Sequence, residues 1–188
     1  MGTKRIGLAR TEALIENLKR NLSLSSTTLS NVGATTFAST VHGMRRKTKS
    51  VASAYQAVAA DSGKLFIFSD ADGAIVTLPD SGAGDIVGVY FDFYINVTAT
   101  SNAHKVICTD TTNEKLFGML SNSDVDTSDA ARNFAAIVGD AFDFISCNGT
   151  TTGVQGSSFR LTCIAADKWQ AEGDILATGT VATSFGST

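Results

Sequence analysis

The residues of this chain best suited to nucleophilic or metal chemistry are two histidines, His42 and His104, and three cysteines, Cys108, Cys147 and Cys163. Two histidines cannot furnish a multi-histidine metal centre, and neither sits in a nucleophile motif. His104 and Cys108 are four residues apart on a predicted strand and share a face, but no third group is identifiable to orient the imidazole as thiol catalysis requires. Asp124, Asp126 and Asp129, and the run Asp70-Ala71-Asp72-Gly73, offer hard oxygen ligands, yet neither carries the full ligand set of a calcium loop and both read as acidic surface loops. Asp140 and Asp143 could act as an acid and base on a glycoside, with their separation set by the fold. No aromatic sugar platform accompanies them, since the only tryptophan, Trp169, is expected in the core. Gly82-Ala83-Gly84 is too short to cradle a phosphate and precedes a strand. These residues predict no enzyme, no cofactor and no bound metal. The odd, widely spaced cysteines read as small buried hydrophobes in a reducing compartment, a single disulfide being the alternative.

Charge is divided along the chain. Residues 1–50 hold nine Lys or Arg against two Glu, while residues 51–188 hold six against sixteen acids, so a head of +7 precedes a body of −10. Such an axis predicts a basic arm that seeks an acidic surface and a body that repels nucleic acid and anionic membrane. No apolar run approaches the roughly 18 residues of a membrane span, and Met1-Gly2-Thr3-Lys4-Arg5-Ile6 lacks the apolar stretch of a secretory signal. The expectation is a protein made in a cytosol and not anchored in membrane.

Three segments must position whatever chemistry exists. Residues 1–22 predict an amphipathic helix, with Leu8, Ile15, Leu18 and Leu22 spaced seven, three and four apart. Eighteen such residues would span about 27 Å, and a lone helix of that length is marginal in water, so its stripe must dock on its own body, on other copies or on a partner. Residues 23–52 read as an extended basic linker rich in Ser, Thr and Gly. From Ser23 to Lys49 it could reach about 90 Å if fully extended. It ends in the cluster Arg45-Arg46-Lys47-Thr48-Lys49, which can be a solvated strand edge, a contact for an acidic protein partner, or a nucleic-acid contact. No aromatic interleaves these charges to stack bases, which weighs against the last.

Residues 53–188 predict a mainly β body. From Asp85 to Val97, the residues Val87, Val89, Phe91, Phe93, Ile95 and Val97 alternate with Asp92 and Asn96, the period of a half-buried strand. Further strands are expected at 53–59, 64–69, 74–78, 104–109, 115–121, 134–138, 141–147, 159–165, 169–172 and 174–178, separated by Asp-Gly and Asn-Gly turns. Ser128 to Asn133 reads as one or two helical turns. So many short strands predict an antiparallel β-sandwich, jelly-roll-like in connectivity.

The stretch from Ala59 to Phe66, then Val76-Thr77-Leu78-Pro79, and the ending Trp169-Gln170-Ala171-Glu172-Gly173 with Thr178-Gly179-Thr180, resemble β domains of tailed-bacteriophage virion proteins, nearest to capsid decoration (cement) and head-fibre-like proteins. Lys4-Arg5-Ile6-Gly7 and Leu14-Ile15-Glu16-Asn17-Leu18-Lys19 are similar to N-termini of marine-phage structural proteins. The resemblance implies a structural protein, commonly a homotrimer, made in the host cytoplasm. It would bind the major capsid protein on the outside of an icosahedral shell and stiffen it. The expected contact residues are Leu8, Ile15, Leu18, Arg45, Arg46, Lys47 and Lys49, with neither nucleic acid nor membrane as partner. A tail, fibre or host-surface-binding component, and a carbohydrate-binding or hydrolytic sandwich module, are the alternatives.

Overall fold

In a computed structural model the described residues are 45–126 and 129–188. The predicted N-terminal helix, including Leu8, Ile15 and Leu18, and the linker as far as Met44 lie outside them. The unit described here is Arg45–Thr188.

Between Thr48 and Ile107 the chain lays strands alternately into two sheets. β1 (Thr48–Val51), β3 (Leu65–Phe68) and β5 (Tyr90–Ile95) enter the first sheet, while β2 (Tyr55–Gln56), β4 (Ile75–Thr77) and β6 (His104–Ile107) enter the second. Because each connection crosses to the other sheet, consecutive strands within a sheet run the same way: β1 with β3, β3 with β5, β2 with β4, and β4 with β6 are all parallel. The result is three stacked two-strand windings. Then come β7 (Lys115–Asp124), β8 (Arg132–Ala136), β9 (Phe144–Cys147), β10 (Ser158–Ala165), β11 (Lys168–Ala177) and β12 (Phe185–Gly186). The first sheet has the order β1-β3-β5-β10-β11-β7-β8 and the second β12-β9-β6-β4-β2.

The body is therefore mainly β, as expected, but its sheets are mixed. Five of the ten pairings among the described residues are parallel, which corrects the expected antiparallel, jelly-roll-like order. Alternating apolar residues report that one face of a strand is buried and say nothing about the direction of its neighbour.

One apolar core lies against both sheets. Phe66, Phe68, Phe91, Phe93, Leu161 and Trp169 enter it from the first, and Val76, Val106, Ile145 and Phe185 from the second. Its centre is a run of near-parallel rings: Phe66 to Phe93 at 5.5 Å, Phe93 to Phe159 at 5.0 Å, and Phe91 to Trp169 at 6.0 Å between centroids. Such ring pairs contribute about 0.5–1.5 kcal/mol each beyond the area they bury. Trp169 is fully buried, as expected.

Local corrections have local causes. The strand expected from Asp85 begins only at Tyr90, because Ile86 to Gly88 form a turn in which Gly88 takes φ +90° and donates its N–H to the Cys163 carbonyl at 2.8 Å. The expected break at Gly173 does not occur, and β11 runs through it. A Cβ there would lie 2.5 Å from the Cα of Phe159, its cross-strand partner, so glycine serves close approach and not termination. Asp129 to Asn133 are not helical: Asp129 accepts N–H bonds from Ala130 and Val181, and β8 starts at Arg132. Of the strand expected at 53–59 only Tyr55–Gln56 forms, followed by a single 3-10 turn at Ala59–Asp61.

Candidate functional site

β1 begins inside the segment expected to be linker, so the basic cluster is the lead-in to, and part of, the strand that stands at the edge of the first sheet among the described residues. Arg45, Arg46, Lys47 and Lys49 are all exposed. Strand alternation divides them: Arg46 lies with Thr48 and Ser50 on the outer face and Lys49 with Val51 on the core-facing side, while Arg45 and Lys47 precede the strand.

Arg46 is bound to the body. Its Nε donates to the Gly63 carbonyl at 2.9 Å, its Nη2 donates to the Lys64 carbonyl at 3.2 Å, and Nη2 also meets Asp92 Oδ2. Asp92 is shared, since Arg160 grips it with Nε to Oδ1 at 2.7 Å and Nη2 to Oδ2 at 2.9 Å. The Arg160 guanidinium also stacks 4.8 Å from the Tyr90 ring centroid. Two guanidiniums on one carboxylate tie β1, β5 and β10 together on the outer face. They line an open groove of about 330 Å³ with Tyr94, Glu172 and Asp174.

Lys49 turns toward the core side and places Nζ 4.7 Å above the Tyr55 ring. The Tyr55 hydroxyl donates to Asp61 Oδ2 at 2.9 Å, and Lys64 Nζ meets Asp61 Oδ1. That hydrogen bond to Asp61, reinforced by burial, raises the Tyr55 pKa. For Asp61 burial acts upward, but hydrogen bonds from Lys64, Tyr55 and the Val58 N–H outweigh it, so its carboxyl is held below the usual range. An inward-aimed lysine also guards an edge strand against unwanted pairing.

The other chemical candidates do not assemble. His104 is buried, with Nε2 2.9 Å from the Val97 carbonyl and no partner for Nδ1, and burial lowers its pKa. Cys108 is buried too, and desolvation first, then Glu114 and Asp143, raise its pKa far above an ordinary thiol. Cys147, the cross-strand partner of His104, is pushed up to about 12 by burial. All three cysteines are free and buried. A thiol that stays protonated is no nucleophile.

The carboxylates are likewise committed to structure. Asp143 accepts from the Thr188 N–H and hydroxyl and fastens Thr188 to the body, whereas Asp140 caps a turn by accepting from the Ile137 N–H at 2.8 Å. Asp124 accepts from the N–H groups of Asp126 and Asp129, and Asp70 from that of Asp72. Among the described residues no group of three or more acids, histidines or cysteines is placed to hold a metal ion. Glu114, which sequence reading passed over, is fully buried. It accepts from Ser81 N–H at 2.6 Å, Ser81 Oγ at 2.5 Å and Asp110 N–H at 2.9 Å.

Asp92 and Arg160 were also missed as a site. Each is a charge on the outward register of an apolar strand, but residues 46, 92 and 160 meet only across strands, and no spacing along the chain announces that. Compared with protein-family models, curated proteins and solved structures, the chain matches none.

Proposed function

We propose that this protein is a non-enzymatic structural component of a phage particle that attaches to the outer surface of the icosahedral shell and stiffens it. In this reading the major capsid protein is the partner, and the virion exterior is the destination after synthesis in the host cytoplasm. The observation that carries it is the exposed cationic run at an edge of the first sheet. Arg45 and Lys47 are its outward contributors, because Arg46 is committed to Asp92 and Lys49 to the Tyr55 ring. The apolar residues Leu8, Ile15 and Leu18 supply the larger part of affinity, since exposed ion pairs contribute only about 0–1 kcal/mol each while burying a leucine-sized side chain contributes about 1.5–3 kcal/mol. The charges then govern approach and register.

Co-sedimentation with undecorated shells across a salt series tests this. Arg45→Glu/Lys47→Glu should weaken binding most at low salt, where the Debye length is long. Leu8→Ser/Ile15→Ser/Leu18→Ser should abolish it at all salt concentrations. Binding of both variants at the wild-type level would overturn the assignment. A second reading, a glycan-binding face, is favoured by the open groove beside Tyr94, Arg160, Glu172 and Asp174. It predicts that Tyr94→Ala and Glu172→Ala together abolish glycan-array signal and leave shell binding intact.

A further inference from the structure

Asn148-Gly149 is the one Asn-Gly pair in the chain. Such a pair is chemically labile, because glycine has no side chain to keep its nitrogen away from the preceding amide. The Gly149 nitrogen attacks Asn148 Cγ and gives up its proton, the C–N bond of the side-chain amide breaks, and ammonia leaves behind a five-membered succinimide. Water then opens the ring at either carbonyl. One opening gives aspartate. The other gives isoaspartate, in which the main chain runs through the former side chain and gains one methylene.

In the fold the groups that must move are held. Asn148 Oδ1 accepts the N–H groups of Thr150 at 3.0 Å and Thr152 at 3.2 Å, and Nδ2 donates to Thr151 Oγ at 2.7 Å. These bonds close an Asx turn over the loop that leaves β9. The attacking nitrogen donates its own proton to the Thr152 carbonyl at 2.9 Å. The loop is fastened in turn. The Thr150 carbonyl accepts from the Thr178 N–H at 2.9 Å, the Thr151 carbonyl from the Ala182 N–H at 3.3 Å, and the buried Thr152 donates its hydroxyl to the Ser146 carbonyl at 2.9 Å. Ring closure would break the bonds of the Asn148 amide and that of the Gly149 N–H together.

We infer that Asn148 is a site of spontaneous modification gated by folding: it is inert while this loop is closed, converts when the chain is unfolded, and as isoaspartate bars the chain from folding again. The bar is steric. Before the site, Cys147 packs so closely on the loop that a Cβ added to Gly153 would lie 2.1 Å from its own Cβ. After it, a Cβ added to Gly149, whose φ is +84°, would lie 2.0 Å from the Ala99 carbonyl oxygen. With the backbone crowded on both sides, an extra methylene between residues 148 and 149 has no room, and accommodating it would pull Cys147 out of register with His104. Aspartate at the same position is tolerated. Its carboxylate still accepts from Thr150 and Thr152, and the Thr151 hydroxyl can donate to it. Time spent unfolded is thus written into the chain covalently, which makes unfolding progressively irreversible.

The experiment holds the full chain at mildly alkaline pH, folded in buffer or unfolded in guanidinium chloride, and samples it over days. Peptide mapping by mass spectrometry with electron-transfer fragmentation separates aspartate from isoaspartate. Conversion at Asn148 should be slower in the folded chain by more than about tenfold, since the loop must open before the ring can close. Thr151→Val frees Nδ2, so it should raise the folded-state rate about two- to tenfold, the effect of one hydrogen bond, and leave the unfolded rate unchanged. The aged unfolded chain is then diluted out of denaturant, and size exclusion separates what refolds from what does not. Isoaspartate at position 148 should be confined to the fraction that fails to refold, while aspartate should appear in the refolded one. Equal conversion in the folded and unfolded chain overturns the inference. So does a refolded fraction as rich in isoaspartate as the starting pool, or a Thr151→Val chain that converts at the wild-type rate when folded.

Discussion

Replacing Asp92 by asparagine removes the one charge on which Arg46 and Arg160 converge. The amide keeps one acceptor oxygen but turns an NH2 group toward one guanidinium, so the bidentate grip of Arg160 at 2.7 and 2.9 Å cannot survive intact. Both arginine side chains are about two-fifths exposed and the carboxylate is 14% exposed, which places the cluster between a solvated pair and a buried one. Exposed pairs contribute about 0.2–1 kcal/mol each, and bidentate networks lie at the upper end. Two such pairs give a loss of about 1–2 kcal/mol for Asp92→Asn. For a chain of this size that corresponds to a fall in Tm of about 2–8 °C. The loss should be concentrated at β1, whose amides from Thr48 to Val51 should exchange faster while those of β10 and β11 change little. Salt should shrink the difference between wild type and variant. Thermal melting at low and high salt, with hydrogen exchange read strand by strand, measures both parts. An unchanged Tm together with unchanged exchange at β1 would refute the idea that Asp92 fastens the basic strand to the body.

Two further outcomes follow from His104 and Gly118. Burial lowers the His104 pKa, so the folded state refuses a proton that the unfolded chain accepts below about pH 6.5. The stability this group contributes is therefore complete above that pH and declines as pH falls toward the lower folded value. Urea midpoints between about pH 7 and pH 5 should fall more steeply for wild type than for His104→Gln, and equal slopes would sink the argument. Gly118, at φ +122°, faces Ala171, where an added Cβ would lie 2.0 Å from the carbonyl oxygen, so Gly118→Ala should cost about 2–6 kcal/mol from strain and overpacking. Urea denaturation showing less than about 1 kcal/mol of loss would show that β7 and β11 can part without penalty.

What the sequence made legible was burial. The alternation at Phe91, Phe93 and Ile95 marked β5, and the lone Trp169 marked the core, because side-chain polarity responds to which face meets water. Strand direction left no such trace, since β1, β3 and β5 look the same whether their neighbours run parallel or not. Glycine was ambiguous for a related reason: Gly88 ends an alternating run by a turn, while Gly173 sits in the middle of a strand to admit Phe159, and only the partner across the sheet distinguishes them. The cationic cluster was visible as charge, but its division into a tethered Arg46, a stacked Lys49 and outward Arg45 and Lys47 depends on Asp92 and Tyr55, both brought in from other strands.

The order of strands in the first sheet also sets an order of events during synthesis. The three windings from Thr48 to Ile107 pair with what has just been made, so they can form as the nascent chain leaves the ribosome. β5 and β7, however, are separated in the sheet by β10 and β11, which are translated last. Until residue 177 has emerged, the amino-terminal windings and the β7–β8 hairpin are two fragments, each with a raw edge that no later loop can cover. Completion of the sheet therefore behaves as a proofreading step: a chain cut short before β11 cannot close it and exposes two long strands to the chaperones and proteases that clear such products.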